Sequence, residues 1–172
     1  MKKHILLCLM IICYLLPIGY VCYNYNSNKS VSNIICDDTC KYYILFFMGL
    51  MGIVTLLYEL ERNDIYSQIL IAILLIGIYG LISINETNAG HYVFASLVFI
   101  SILLFMARHC YLSEYNIILL SSILIAFIAL CMIIVNMNHD IFYGEIMYIL
   151  NFAFFYLYLH FLQNKFDITD TV

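Results

Sequence analysis

The chain has 172 residues, 65% hydrophobic and only 10% charged, with a mean hydropathy of +0.98, whereas soluble domains carry roughly 25% charged residues. A water-soluble fold of this length has no interior large enough for that apolar surface, so the solvent must be lipid. Seven basic residues against eleven acidic ones give a formal charge of -4, which leaves no basic patch for a nucleic-acid ligand.

A helix needs about 20 apolar residues to cross roughly 30 Å of hydrocarbon. Charge-free runs of that kind predict six spans: Ile5 to Cys22, Tyr42 to Tyr58, Ile65 to Ile84, Tyr92 to Ala107, Asn116 to Val135 and Ile146 to Leu162. None shows the period-2 alternation of a barrel strand. The expected fold is all-α, a polytopic membrane protein with a bundle of six transmembrane helices in a single domain, residues 1–172. The second, fourth and sixth runs are short, so their ends are expected to take in Lys41, His91, Glu145 and Gln163 by snorkelling.

The first span begins after Lys2 and Lys3 and contains Pro17, which is also the pattern of a secretory signal peptide. The apolar run is longer than a usual signal core and no A-x-A-like cleavage site follows it, so a retained span is expected. Between the first and second spans lies Cys36-Asp37-Asp38-Thr39-Cys40. In an oxidising compartment Cys36 and Cys40 are a candidate disulfide; the alternative is two unpaired thiols, since C-x3-C alone lacks the second pair of a zinc site. Cys8, Cys13, Cys22, Cys110 and Cys131 fall in or beside spans, where they read as small apolar fillers, with Cys110 beside Arg108 a candidate for palmitoylation.

With the N-terminus in the cytosol, Lys2, Lys3, Arg62, Arg108 and Lys165 lie inside and only Lys29 and Lys41 outside, which satisfies the positive-inside rule. Both termini are then cytosolic. The sequons at Asn28 and Asn85 fall in outer loops under this topology and are candidate glycosylation sites. On the inner side Tyr58, Glu59, Glu61, Arg62 and Asp64 form a charge-dense turn expected to anchor the hairpin between the second and third spans.

Catalytic and cofactor chemistry find little support. His91 and His109 are about 27 Å apart along one helix, which places both at water interfaces and away from the interior where haem ligands converge. No span contains a lysine for a Schiff base. Ser96, Ser101, Ser121 and Ser122 lack a nearby His or Asp and are expected to bond back to their own helix or to a neighbour. No cofactor and no metal are expected. Gly49, Gly52, Gly77 and Gly80 offer close helix contacts, and Asn151 is a candidate interhelical donor. The tail from Gln163 to Val172 reads as a polar, disordered segment.

What remains is a polar belt at the outer leaflet, made of Glu86, His91, Tyr92, His139, Asp140 and Glu145. It is a candidate contact for lipid headgroups, the alternative being ordinary solvated helix ends. Within it His91 is expected to order the outer mouth by hydrogen bonding, reaching Glu145 or Glu86, with Tyr92 as the interfacial ring.

His91-Tyr92-Val93-Phe94-Ala95, opening the fourth span after a polar loop, resembles the H-Y-x-x-A-type start of the same span in the DRAM/Frag/Sfk group of six-span membrane proteins, the damage-regulated autophagy modulators and their relatives. Leu16-Pro17-Ile18 in the first span and Ser32 and Cys36 before the second are also similar, whereas the proline-acidic segment common in that group's first outer loop is missing. The resemblance implies an integral protein of endomembranes or the plasma membrane, tied to autophagy, lipid organisation or the remodelling of lipid-anchored proteins. Only His91 and Ala95 match by position, in a structural role. The expected function is a non-enzymatic membrane regulator whose partners are membrane lipids. A membrane enzyme acting on lipids or lipid-anchored proteins, or a small transporter or channel, is the alternative.

Overall fold

A computed structural model describes residues 2–25, 30–36, 41–84, 88–136 and 141–169, with side chains at 4–25, 30–35, 41–84, 88–136 and 141–162. Among these residues there are seven helices and no strands: α1 (Lys2–Tyr23), α2 (Val31–Cys36), α3 (Lys41–Arg62), α4 (Ile65–Ser83), α5 (Ala89–Leu112), α6 (Ile117–Val135) and α7 (Phe142–Thr169). All but α2 are long and apolar enough to cross a membrane, the last over Phe142–Leu162. Helices satisfy their backbone polar groups internally, as hydrocarbon requires. The protein is an all-α integral membrane protein.

The helices outrun the charge-free runs where the sequence lets them. α3 extends from Lys41 through Glu59, Glu61 and Arg62, and it stops only at Asn63, which takes a left-handed φ of 59°. α5 gains a turn at each end, and α7 continues to Thr169, so part of the segment expected to be a disordered tail is helical. The segment between α1 and α3, expected as plain loop, contains α2. Its start is capped by Ser30, whose Oγ accepts from the Asn33 amide at 3.0 Å, and its Val31 and Ile34 are buried on one face.

The chain forms two compact units, Met1–Ile102 and Leu103–Val172. In the first, α1 packs on α3, α3 on α4, and α2 rests against all three. Leu7, Cys13 and Val21 of α1, Ile44 and Val54 of α3, and Ile71 and Ile82 of α4 supply its core. α4 and α5 approach closely at Gly77, where a Cβ would stand 3.2 Å from the Val98 nitrogen and 3.3 Å from the Phe94 carbonyl oxygen. The contact expected of that glycine is therefore real.

In the second unit α6 packs on α7. The contact is tight at Gly144, where a Cβ would meet the Ile133 nitrogen at 3.3 Å and the Ala129 carbonyl at 3.4 Å. The interior is filled by rings. Phe105 of α5 lies parallel to Tyr156 of α7 at 5.4 Å and edge-on to Phe152 at 5.8 Å, arrangements that the ring quadrupole favours. Large apolar side chains such as Leu124, Phe127 and Ile128 of α6 point outward, which in water would be an aggregation liability and in a bilayer is the lipid-facing surface.

Candidate functional site

His91 sits in the first turn of α5, only 4% exposed. The start of this helix is set by Asn88, whose side-chain oxygen accepts from the Gly90 amide at 2.9 Å and whose carbonyl accepts from the His91 amide at 2.9 Å. The imidazole turns back across the loop, with Nδ1 3.0 Å from the carbonyl oxygen of Ile84, the residue that ends α4. A carbonyl oxygen can only accept, so Nδ1 is the protonated nitrogen. His91 thus ties the end of α4 to the start of α5. The expected hydrogen bond exists, but its acceptor is backbone rather than a carboxylate, and the ring is buried rather than hydrated. Tyr92 is exposed and its ring stands edge-on to the imidazole at 6.1 Å.

Of the other belt residues, Glu145 lies in the first turn of α7 in the second unit, where its charge complements the helix N-terminus. Its amide donates to the Ile141 carbonyl at 3.0 Å. Glu86, His139 and Asp140 lie outside the described residues, as do Asn28, Asn85, Cys40 and the Cys36 side chain. The described part of the belt therefore brings His91 and Tyr92 together.

A second polar cluster, expected as a charge-dense turn, is built largely into the last turn of α3. Glu59 is 0% exposed, and its Oε1 is 3.1 Å from an Arg62 guanidinium nitrogen whose side chain is also buried. The guanidinium lies 5.9 Å from the centroid of the Tyr58 ring, within reach of a cation–π attraction. From α4, Gln68 Nε2 donates to the Glu59 carbonyl at 3.3 Å, and Ser67 Oγ donates to Asp64 Oδ2 at 2.7 Å. The hairpin is anchored as expected, by side chains withdrawn from solvent. The sequence signal that marks them is the i,i+3 spacing of Glu59 and Arg62.

In the second unit Ser122 and Asn151 clasp each other. Ser122 Oγ donates to Asn151 Oδ1 at 2.8 Å, and Asn151 Nδ2 donates to the Ser122 carbonyl at 2.8 Å. Asn151 is the interhelical donor its position suggested. Four further hydroxyls bond back to their own helices: Thr55 to Met51, Ser96 to Tyr92, Ser101 to Val98 and Ser121 to Ile118. His109, expected at a water interface, is buried 4.5 Å from the Phe105 ring, and His160 of α7 is buried as well. Cys110 is 3% exposed, which removes the thiol from the surface where acylation occurs and corrects its reading as a palmitoylation candidate. Among the described residues no three His, Cys, Asp or Glu side chains are grouped to hold a metal.

No family model matches the chain, and no curated protein and no solved structure matches it significantly.

Proposed function

We propose that the protein is a non-enzymatic membrane regulator of lipid organisation or autophagy, of the kind the DRAM/Frag/Sfk resemblance implies, with its outer belt around His91 and Tyr92 contacting lipid headgroups. The observation that carries this reading is where the polar groups of the membrane-length helices are spent. Ser122, Asn151, Thr55 and Ser101 bond to one another or to backbone, and Glu59 is paired with Arg62, while rings fill the interior of the second unit. Such groups fix helix register and do not present a nucleophile to a substrate.

The orientation that goes with this function has both termini in the cytosol of a cell whose endomembranes or plasma membrane hold the protein, supported by the five inner against two outer basic residues. Cysteine-accessibility labelling of tags at the two termini and in the loop between α1 and α3 tests it; a lumenal terminus overturns it.

The functional reading is tested by mass spectrometry of the lipids that accompany the purified protein. A stoichiometric phospholipid that is lost on substituting His91 or Tyr92 supports headgroup contact at the outer belt, and turnover of an added lipid or lipid-anchored substrate replaces it with an enzyme. A transporter is the second reading, favoured by four glutamate and histidine side chains buried in membrane-length helices, Glu59, His91, His109 and His160; ion or proton flux into liposomes carrying the protein decides for it.

A further inference from the structure

The turn joining α5 to α6 is built against the preference of its own residues. α5 ends in a Schellman arrangement, in which the Tyr115 amide donates to the Cys110 carbonyl at 2.9 Å and the Glu114 amide to the Tyr111 carbonyl at 3.2 Å. Glu114 occupies the left-handed position with a φ of 51°, and Tyr115 follows at 58°. Glycine takes the first of these positions at least cost, and two successive L side chains there are both crowded against their own backbone. Asn116 then caps α6 through its side-chain oxygen, which accepts from the Ile118 amide at 3.0 Å.

This backbone stands two tyrosine rings out from the end of the helix. Tyr111 and Tyr115 are 61% and 63% exposed, their centroids are 6.0 Å apart, and the ring planes are nearly perpendicular at 84°. The exposed carboxylate-bearing Glu114 lies in the turn between them. Two exposed rings with nearly perpendicular planes, in a turn that also carries an exposed carboxylate, suit a methylated ammonium. That ion has no N–H to donate, so hydrogen-bond acceptors and water hold it weakly, while the negative ring faces and a carboxylate attract it. The turn also lies where two membrane-length helices end, at the depth of the headgroups.

We propose that Tyr111, Glu114 and Tyr115 form a site for the quaternary ammonium of choline, presented either as the headgroup of a phosphatidylcholine or as a free choline ester. The site is at the far end of α5 from His91 and does not depend on the outer belt: a lipid lost on changing His91 or Tyr92 belongs to the belt, and one lost on changing Tyr111 or Tyr115 belongs here. Interfacial tyrosines also serve as plain anchors, but an anchor is indifferent to methylation of the headgroup nitrogen. That difference is the basis of the test.

Delipidated full-length protein in detergent is offered equal amounts of phosphatidylcholine and phosphatidylethanolamine with identical acyl chains, and the bound lipids are counted by native mass spectrometry. The expected preference for phosphatidylcholine is about fivefold. It falls towards unity in Tyr111→Leu, Tyr115→Leu and Glu114→Gln and survives in Tyr115→Phe, which keeps the ring face. Tyr66→Leu, at another exposed tyrosine near the start of α4, leaves it unchanged. Soluble phosphocholine titrated into the same protein distinguishes the sources: binding by the isolated ester assigns a free choline compound, and selectivity confined to the intact lipid assigns the headgroup. Equal binding of the two lipids with no phosphocholine binding overturns the proposal, as does a preference untouched by Tyr111→Leu and Tyr115→Leu or lowered equally by Tyr66→Leu.

Discussion

At the Ile65 end of α4 the chain turns through Asn63 and Asp64, and the turn is held by charge: Glu59 on Arg62, with Arg62 laid over the Tyr58 ring and Ser67 on Asp64. At the Ser83 end the return into α5 is held, among the described residues, by hydrogen bonds without an ion pair, the His91 imidazole donating to the Ile84 carbonyl and Asn88 capping α5. The two ends do the same mechanical task with different exposure to failure. A buried ion pair gives little net stability, because desolvation of both ions offsets their attraction, but losing one partner strands the other. A side-chain donor on a backbone carbonyl leaves behind only an acceptor when it is removed, and side chains other than imidazole can supply the donor.

The largest effect therefore belongs to the charged end. Glu59→Leu is expected to destabilise the protein by about 3–5 kcal/mol by leaving the Arg62 guanidinium buried without its carboxylate, read as a shift in the folded fraction during titration with a denaturing detergent. The double substitution Glu59→Leu with Arg62→Leu should recover most of that loss; if it is no better than the single change, the burial of the pair is not what makes Glu59 important.

The clasp between α6 and α7 comes next. Asn151→Leu removes both bonds to Ser122 and is expected to cost about 1–2 kcal/mol, with Ser122→Ala costing less because the bond from Asn151 to the Ser122 carbonyl survives. Unfolding midpoints of the two variants in the same micelles give the order, and equal losses would mean that the carbonyl bond contributes nothing.

His91→Leu is expected to cost about 1 kcal/mol, the worth of one buried hydrogen bond, and His91→Gln to retain much of it by donating from its amide to the Ile84 carbonyl. Hydrogen exchange at the end of α4 should quicken in the first variant and stay near wild type in the second. Smallest is Glu114→Gly, which should stabilise the protein by up to about 1 kcal/mol by relieving the left-handed residue, while removing the carboxylate from the tyrosine turn. A gain in unfolding midpoint with a loss of choline preference would show stability given up for binding.

The fold class was readable because lipid leaves a coarse mark on a sequence, long runs without charge. The run ends were misread at Glu59 and Arg62 because a hydropathy reading stops at the first charge, whereas a helix stops where the backbone does, here at Asn63; the two charges stay in the helix because they face each other. α2 was missed because six residues are too few to establish a period. Asn151 could be singled out as a lone amide in an apolar run, but its partner Ser122 is 29 positions away, a pairing no local pattern encodes. His91 was legible as a hydrogen-bonding group and its acceptor was not, since a scan of side chains overlooks a carbonyl such as that of Ile84.

The clasp between Ser122 and Asn151 acts together with the close approach of Gly144 to Ala129 and Ile133. Sliding either helix by one residue, about 1.5 Å, would break both clasp bonds at once, so translation is blocked. Between residues 122 and 129–133 the two helices touch at two stations roughly 10–17 Å apart along the axis, and a rod pinned at two stations cannot rock between them. The pair is a stiff beam over that stretch, and beyond Asn151 α7 is held by other means, the rings of Phe152 and Tyr156 against Phe105.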